Sequence, residues 1–236
     1  MIVASKARKY TTTKGVFECK LGIDLWDLGW YNLGMLQVDL KSVGYMSSDV
    51  EQLAEIISHK EVYLPFNAGC PGGKEKNYGE IRATIAYSKP AYVAKIGDRV
   101  VGFVGFGDLL PQEYQNLRDG NYVPKEFVNS PYFDFCKAIY YFVDPQFQGL
   151  GIGTKMVELA LDHYFKSPYC CSPVITANYF VYGENNENVA SHKLLEKLGF
   201  ECYFSTIKYN RCYAEPTHLT HMYLTREMFE NRNSQK

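Results

Sequence analysis

The chain has 236 residues, 46% apolar and 22% charged, with 25 Lys and Arg against 26 Asp and Glu. That composition excludes disordered, collagen-like and coiled-coil chains, and the length allows a domain that buries well over half of its unfolded surface. A formal net charge of -1, with the basic residues scattered singly, gives no field to gather a phosphate backbone, so no nucleic-acid partner is expected.

No run approaches the roughly 18 to 20 apolar residues of a membrane span, and Met1 to Lys14 contain no apolar core of a signal peptide. A cytoplasmic protein without a membrane partner is expected. The first 17 residues lack acids and carry Lys6, Arg8, Lys9 and Lys14, a faint likeness to a mitochondrial transit peptide that this reading sets aside. Seven cysteines, an odd number with no C-x-x-C pair and no zinc-type spacing, indicate neither a disulfide framework nor a metal.

Without a repeat or low-complexity linker, one domain with insertions is the simplest organisation. Residues 1–40 are rich in Leu, Trp and Gly and are expected to pack on the domain as an extension. Ser42 to Met46 reads as a strand, and Ser48 with Glu51 as a capping box opening a helix through Leu53, Ile56 and Ile57. A glycine-rich loop, Phe66 to Lys74, precedes a second helix around Tyr78 to Tyr87. Pro90 to Ile96 and Arg99 to Phe106, divided by Gly97-Asp98, form a hairpin.

A polar insertion, 107–133, is long enough to act as a lid and to line an acceptor pocket together with the N-terminal stretch. Ala138 to Val143 then reads as a strand, Ile152 to Phe165 as a helix, Pro173 to Val181 as a strand and Asn188 to Leu198 as a helix. Glu201 to Lys208 and Leu219 to Leu224 make a closing antiparallel pair, and 231–236 a tail.

The informative stretch is Tyr140 to Lys155. A strand stops at Asp144-Pro145, and a helix begins soon after with Ile152, Met156, Leu159 and Ala160 on its apolar face. Gly149, Gly151 and Gly153 therefore sit at a helix start, where free backbone N–H groups and the positive end of the helix dipole attract an anion and no Cβ blocks its approach. A dinucleotide fold would need a third glycine where Thr154 stands and an acid about 20 residues on, which Cys171 to Ile175 lack. A P-loop fails as well, because Ala68 and Glu75 flank Gly73-Lys74 where Gly and Ser or Thr belong.

The spacing Gln148-x-x-Gly151-x-Gly153 after Val143-Asp144-Pro145 resembles the Q/R-x-x-G-x-G/A acyl-coenzyme A signature of the GNAT superfamily of N-acetyltransferases. A second segment, Asn188 to Phe200, is similar to that family's Asn-x-x-Ala-x-x-x-Tyr-x-Lys-x-Gly-Phe helix. The resemblance is tight from Ala138 to Phe200. It implies an α/β (α+β) GNAT fold over 41–230, a mixed, mostly antiparallel sheet of about six to seven strands flanked by helices.

The same resemblance implies acetyl-CoA as cosubstrate without metal, and a small-molecule or peptide amine as acceptor. Backbone groups of Phe142 and Val143 would hold the pantetheine and polarise the thioester carbonyl. Gln148, Gly149, Leu150, Gly151, Ile152, Gly153 and Thr154 would surround the pyrophosphate, and Asn188 would touch the coenzyme A arm. Valine at 151 should then block the phosphate without unfolding the protein.

Leu195 departs from the pattern at the tyrosine that protonates the leaving thiolate, and should instead pack on Phe200 across Gly199. Candidates for proton transfer are Glu184 and Tyr182, with Asp134, Asp144, Tyr141 and Tyr179 behind them. His163 is expected on the buried side of its helix, and His192 near a helix start, both as structural or surface residues. The lost tyrosine and the lack of an obvious base leave a non-catalytic acyl-CoA-binding protein as the alternative.

Overall fold

The computed structural model describes residues 9–12, 15–18, 38–44, 46–66, 74–109, 111–119, 125–129, 133–167, 172, 174–181, 188–210 and 215–234. The chain divides into two units, residues 1–37 and 38–236. In the first, β1 (Lys9–Thr12) pairs antiparallel with β2 (Gly15–Glu18), Lys9 opposite Glu18.

In the second unit β3 (Asp39–Ser42) leads into α1 (Asp49–Ile56), α2 (Lys60–Phe66) and α3 (Lys74–Tyr87). The expected boundary at residue 40 thus falls inside a strand, and that strand lies earlier than Ser42 to Met46. Ser48 occupies the N-cap of α1, but no side chain caps there. Instead Ser47 Oγ accepts from the Asp49 N–H at 3.2 Å, so the expected capping box does not form. Helix α2 was not apparent in the sequence, where seven residues containing Pro65 show too little periodicity. Of the glycine-rich loop, Phe66 ends α2 and Lys74 opens α3, and residues 67–73 lie outside the described residues.

The hairpin forms as expected: β4 (Ala91–Ile96) and β5 (Arg99–Asp108) pair antiparallel, Ile96 opposite Arg99. β5 is buried along almost its whole length, as a central strand covered on both faces must be. After α4 (Pro111–Asp119) and α5 (Lys125–Val128) come β6 (Lys137–Val143), α6 (Ile152–Lys166), β7 (Val174–Val181), α7 (Val189–Lys197), β8 (Glu201–Asn210), β9 (Glu215–Thr225) and α8 (Arg226–Ser234). Helix α8 occupies most of what the sequence suggested was a tail.

The seven strands run in the order β3-β4-β5-β6-β7-β9-β8, and β6–β7 is the parallel pair, joined through α6. One sheet face carries Val50, Leu53, Ile57 and Ile81 of α1 to α3 against Val93 and Phe103; the other carries Met156, Ala160 and Tyr164 of α6 against Val104 and Phe106. A third cluster joins Leu117 of α4 and Phe133 to Val174, Tyr203 and Tyr223.

The consequential feature is how β6 ends. Towards β5 it is paired from Lys137 opposite Asp108 to Val143 opposite Gly102. Towards β7 the pairing stops after three residues, at Ile139 opposite Ala177. Both strands continue, β6 along β5 and β7 along β9 as far as Val181 opposite His218, so they splay apart.

Candidate active site

The splay opens a cleft of about 810 Å3 lined by Tyr140, Tyr141, Phe142 and Val143 on one side and by Asn178 and Tyr179 on the other. Beyond Ile139 the backbone groups of β6 that face away from β5, those of Tyr141 and Val143, have no strand partner, which leaves an edge that an extended ligand can join.

Beyond β6 a tight turn aims the chain at the same cleft. Asp144 is 5% exposed and fully engaged: Oδ1 accepts from the Gln146 N–H at 2.9 Å and Oδ2 from Arg99 Nη2 at 3.0 Å. Arg99 also lies over the Phe147 ring, 4.7 Å from its centroid. Asp144 is therefore a turn cap and ion-pair partner, and not a free base. Gln148 donates from Nε2 to the Val143 carbonyl at 3.1 Å, tying turn to strand.

Gly149 and Gly151 adopt φ of 77° and 78°, and a Cβ on either would meet nothing within 4 Å. Gly151 is the N-cap of α6; the Lys155 N–H returns to its carbonyl at 3.0 Å, so the amides before Lys155 lack helical partners. An anion can approach them through space that a side chain would fill. The left-handed backbone also corrects the expectation for Gly151→Val: valine would strain the fold as well as crowd the ligand.

Gln148, Gly149, Gly151, Gly153, Thr154 and Asn188 all line the cleft with Phe142 and Val143. Leu150 and Ile152 do not line the cleft: the Leu150 side chain is 46% exposed and that of Ile152 is buried in the core. Asn188 stands at the N-cap of α7 without capping it, which leaves its buried side chain for the cleft. Lys193 and Lys197, one turn apart on α7, add positive charge to the same wall.

Leu195 is fully buried in the core cluster that holds Phe200. The Phe200 N–H bonds to its carbonyl at 3.0 Å and the Gly199 N–H to that of Glu196 at 2.9 Å, with Gly199 at φ 90°: the glycine-closed helix end expected from the sequence. Glu184 and Tyr182 lie outside the described residues. No residue of 107–133 lines the cleft among the described residues, and the described apolar residues of that insertion pack against Val174, Tyr203 and Tyr223 instead. The lid and acceptor-pocket role expected of the insertion finds no support there.

What the sequence did not reveal is a set of contacts between cleft hydroxyls and α7. Tyr141 bonds to Ser191, which stands where the family pattern has alanine, and burial pushes its phenol above the usual range despite that bond. Tyr179 Oη lies 2.8 Å from His192 Nδ1, and His192 Nε2 lies 3.1 Å from Glu196 Oε1. His163, by contrast, is exposed and meets Tyr92 edge-on at 5.7 Å, not on the buried side of its helix.

The sequence pattern of the Acetyltransferase (GNAT) family matches residues 71–200, more than half of the chain, and the chain belongs to that family. Among solved structures it is similar to spermidine N-acetyltransferase from Vibrio cholerae in complex with CoA and spermine, at 14% identity and TM-score 0.59, covering 83% of this chain and 99% of that one. It is similar also to yncA from Salmonella typhimurium with its cofactor acetyl-CoA, at 18% identity and TM-score 0.56, over 80% and 94% of the two chains. A third is the ribosomal-protein-S5-alanine acetyltransferase from Vibrio fischeri, at 15% identity and TM-score 0.56, over 80% and 93%. These likenesses establish the GNAT fold. A comparison with curated proteins finds no match. Among the described residues no helix is long and apolar enough to cross a membrane.

Proposed function

We propose that this protein transfers the acetyl group of acetyl-CoA to a primary amine of a small molecule or peptide by direct attack. The observation that carries the reading is one cleft combining the edge of β6 at Tyr141 and Val143, beyond its last pairing with β7, with the left-handed glycine turn at the start of α6. The first suits pantetheine held as an added strand, and the second suits a pyrophosphate on main-chain N–H groups. Structural neighbours solved with acetyl-CoA and with CoA support this donor.

Tyr141 and Val143, whose backbone N–H groups face away from β5, would meet the pantetheine and thioester, whereas the backbone groups expected of Phe142 face β5 and leave it only its side chain in the cleft. Gln148 would hold the turn, Gly149 to Thr154 would surround the pyrophosphate, and Asn188 would reach the coenzyme A arm. Among the described lining residues the carboxylate is Glu61 of α2, which offers a charge partner to a cationic amine. An aliphatic amine with a pKa near 10.4 must shed a proton before it attacks.

The buried Leu195 favours a second reading, binding of acyl-CoA without catalysis, since a leucine gives no proton to a thiolate. Turnover separates the two. Acetyl-CoA titrated into the protein by calorimetry should bind, and a panel of polyamine, amino-acid and N-terminal peptide amines should release free thiol above hydrolysis with at least one member. Binding without thiol release would favour the second reading, and no binding would remove both.

A further inference from the structure

Tyr179 lies two residues beyond Ala177, the last β7 residue paired with β6, so it stands where the cleft opens. Its side chain is buried in the wall, and its Oη is 2.8 Å from Nδ1 of His192 on α7. One turn further along α7, Glu196 Oε1 is 3.1 Å from Nε2 of the same imidazole. In the tautomer whose Nε2–H donates to Glu196 Oε1, Nδ1 presents its lone pair to the phenol. The phenol, the imidazole and the carboxylate thus stand in the order that activates a hydroxyl in triad sites on unrelated folds.

We infer that Tyr179, His192 and Glu196 form the proton relay of the acetyl transfer, with Tyr179 as the catalytic residue and His192 and Glu196 as positioning residues. The inference rests on the acetyltransferase reading above. As the amine nitrogen bonds to the acetyl carbon, the phenol oxygen takes the amine proton while its own passes to Nδ1. The imidazolium so formed is held by Glu196. When the carbon–sulfur bond breaks, Nδ1 returns its proton to the phenol oxygen and the phenol O–H protonates the thiolate. One proton has moved from nitrogen to sulfur, one C–N bond has formed, one C–S bond has broken, and the three side chains are as they began.

Two further observations fit. Burial pushes the Tyr179 phenol above its ordinary value, against the pull of its bond to Thr220, so it stays a neutral donor near pH 7 and needs a partner to accept its proton. Leu195, next to Glu196 on α7, is buried among apolar side chains and supplies no proton, and the relay supplies one through Tyr179, which lines the cleft.

The test uses acetyl-CoA and hydroxylamine, a small neutral nucleophile that needs no acceptor subsite, and follows thiol release alongside calorimetric affinity for acetyl-CoA. The wild type should accelerate thiol release over the uncatalysed reaction. Tyr179→Phe should lower kcat by about 10- to 100-fold, the range of a lost acid–base contribution, with KM and Kd for acetyl-CoA within about twofold. His192→Ala should lose a similar factor and regain part of it from added imidazole, which a purely structural role would not allow. Glu196→Gln, at the exposed end, should lose about two- to fivefold. The relay is overturned if Tyr179→Phe keeps kcat within twofold, or if the wild type binds acetyl-CoA without accelerating the reaction. Loss in His192→Ala that imidazole does not restore removes His192 from the relay. Failure of the wild type to bind acetyl-CoA overturns the acetyltransferase reading itself, which the titration reports separately.

Discussion

The two edges of β6 carry the same sequence and do opposite work. Towards β5 the strand is paired over its full length, and its Phe142 stacks on Phe103 with ring centroids 5.5 Å apart. Towards β7 the pairing ends at Ile139, and the backbone groups of two residues, Tyr141 and Val143, face the cleft without a strand partner. Stability is invested where pairing is complete, and chemistry is placed where it stops. The partner at the open edge is a helix start and a second helix, α6 and α7, both seated on the core by Met156 and Leu195.

The largest expected effect lies on the closed edge. Phe103 is fully buried, and Phe103→Ala should cost about 3 to 5 kcal/mol, read as a fall in the urea midpoint at unchanged m-value. A loss under about 1 kcal/mol would show that this edge is not where stability resides.

Next comes pH, through His221 on β9, whose ladder with β7 backs the cleft wall. His221 is 1% exposed, neither ring nitrogen has a hydrogen-bond partner, and burial with Lys208 nearby pushes its pKa down to about 4 from 6.5. The unfolded chain takes up this proton as pH falls through 6.5 while the folded one resists until about 4, so stability is full above 6.5 and drains between those values. The total is about 3 kcal/mol, and His221→Phe should flatten the decline in urea midpoints between pH 7 and pH 4.5.

Leu195→Tyr adds a ring and a hydroxyl to a filled core. It should cost about 1 to 3 kcal/mol and give no rise in turnover. A large gain in rate would mean that position 195 faces the thioester. On the open edge, Gly151→Val should weaken acetyl-CoA binding at least about tenfold and cost about 1 to 2 kcal/mol for a β-branched residue at positive φ. Unchanged calorimetric affinity would move the anion site elsewhere. Asp144→Ala, which removes the cap of the turn and the Arg99 partner, should cost about 1 kcal/mol and loosen binding by a smaller factor.

The contrast between the edges also explains what could be read from the sequence. The glycine turn and the helix end at Gly199 are local: spacing within a few residues fixes them, and Gln148 to Thr154 and Leu195 to Phe200 were legible for that reason. Strands β4 to β7 were legible because apolar runs bounded by Gly, Pro or Asp leave few alternatives. The splay was implied only through family resemblance, since nothing in the sequence of β6 marks where its pairing with β7 ends. The Tyr179–His192–Glu196 chain spans a strand and a helix, and periodicity within either says nothing of their crossing. His163 sits next to Tyr164 at the border of a wide apolar stripe, and a rotation of 100° per residue carries it out to solvent. The capping box at Ser48 yielded to Ser47, one residue earlier, which offers the same chemistry.

The central claim is that acetyl-CoA binds along the open edge of β6 and at the start of α6. Amide hydrogen exchange resolved by residue, with and without acetyl-CoA, tests it most directly. The account predicts slower exchange on binding at Tyr141, Val143 and Gly149 to Thr154, with little change over Lys137 to Ile139 and along β4. Saturating acetyl-CoA that leaves exchange at Tyr141 and Val143 unchanged, or that protects a different surface, would contradict it.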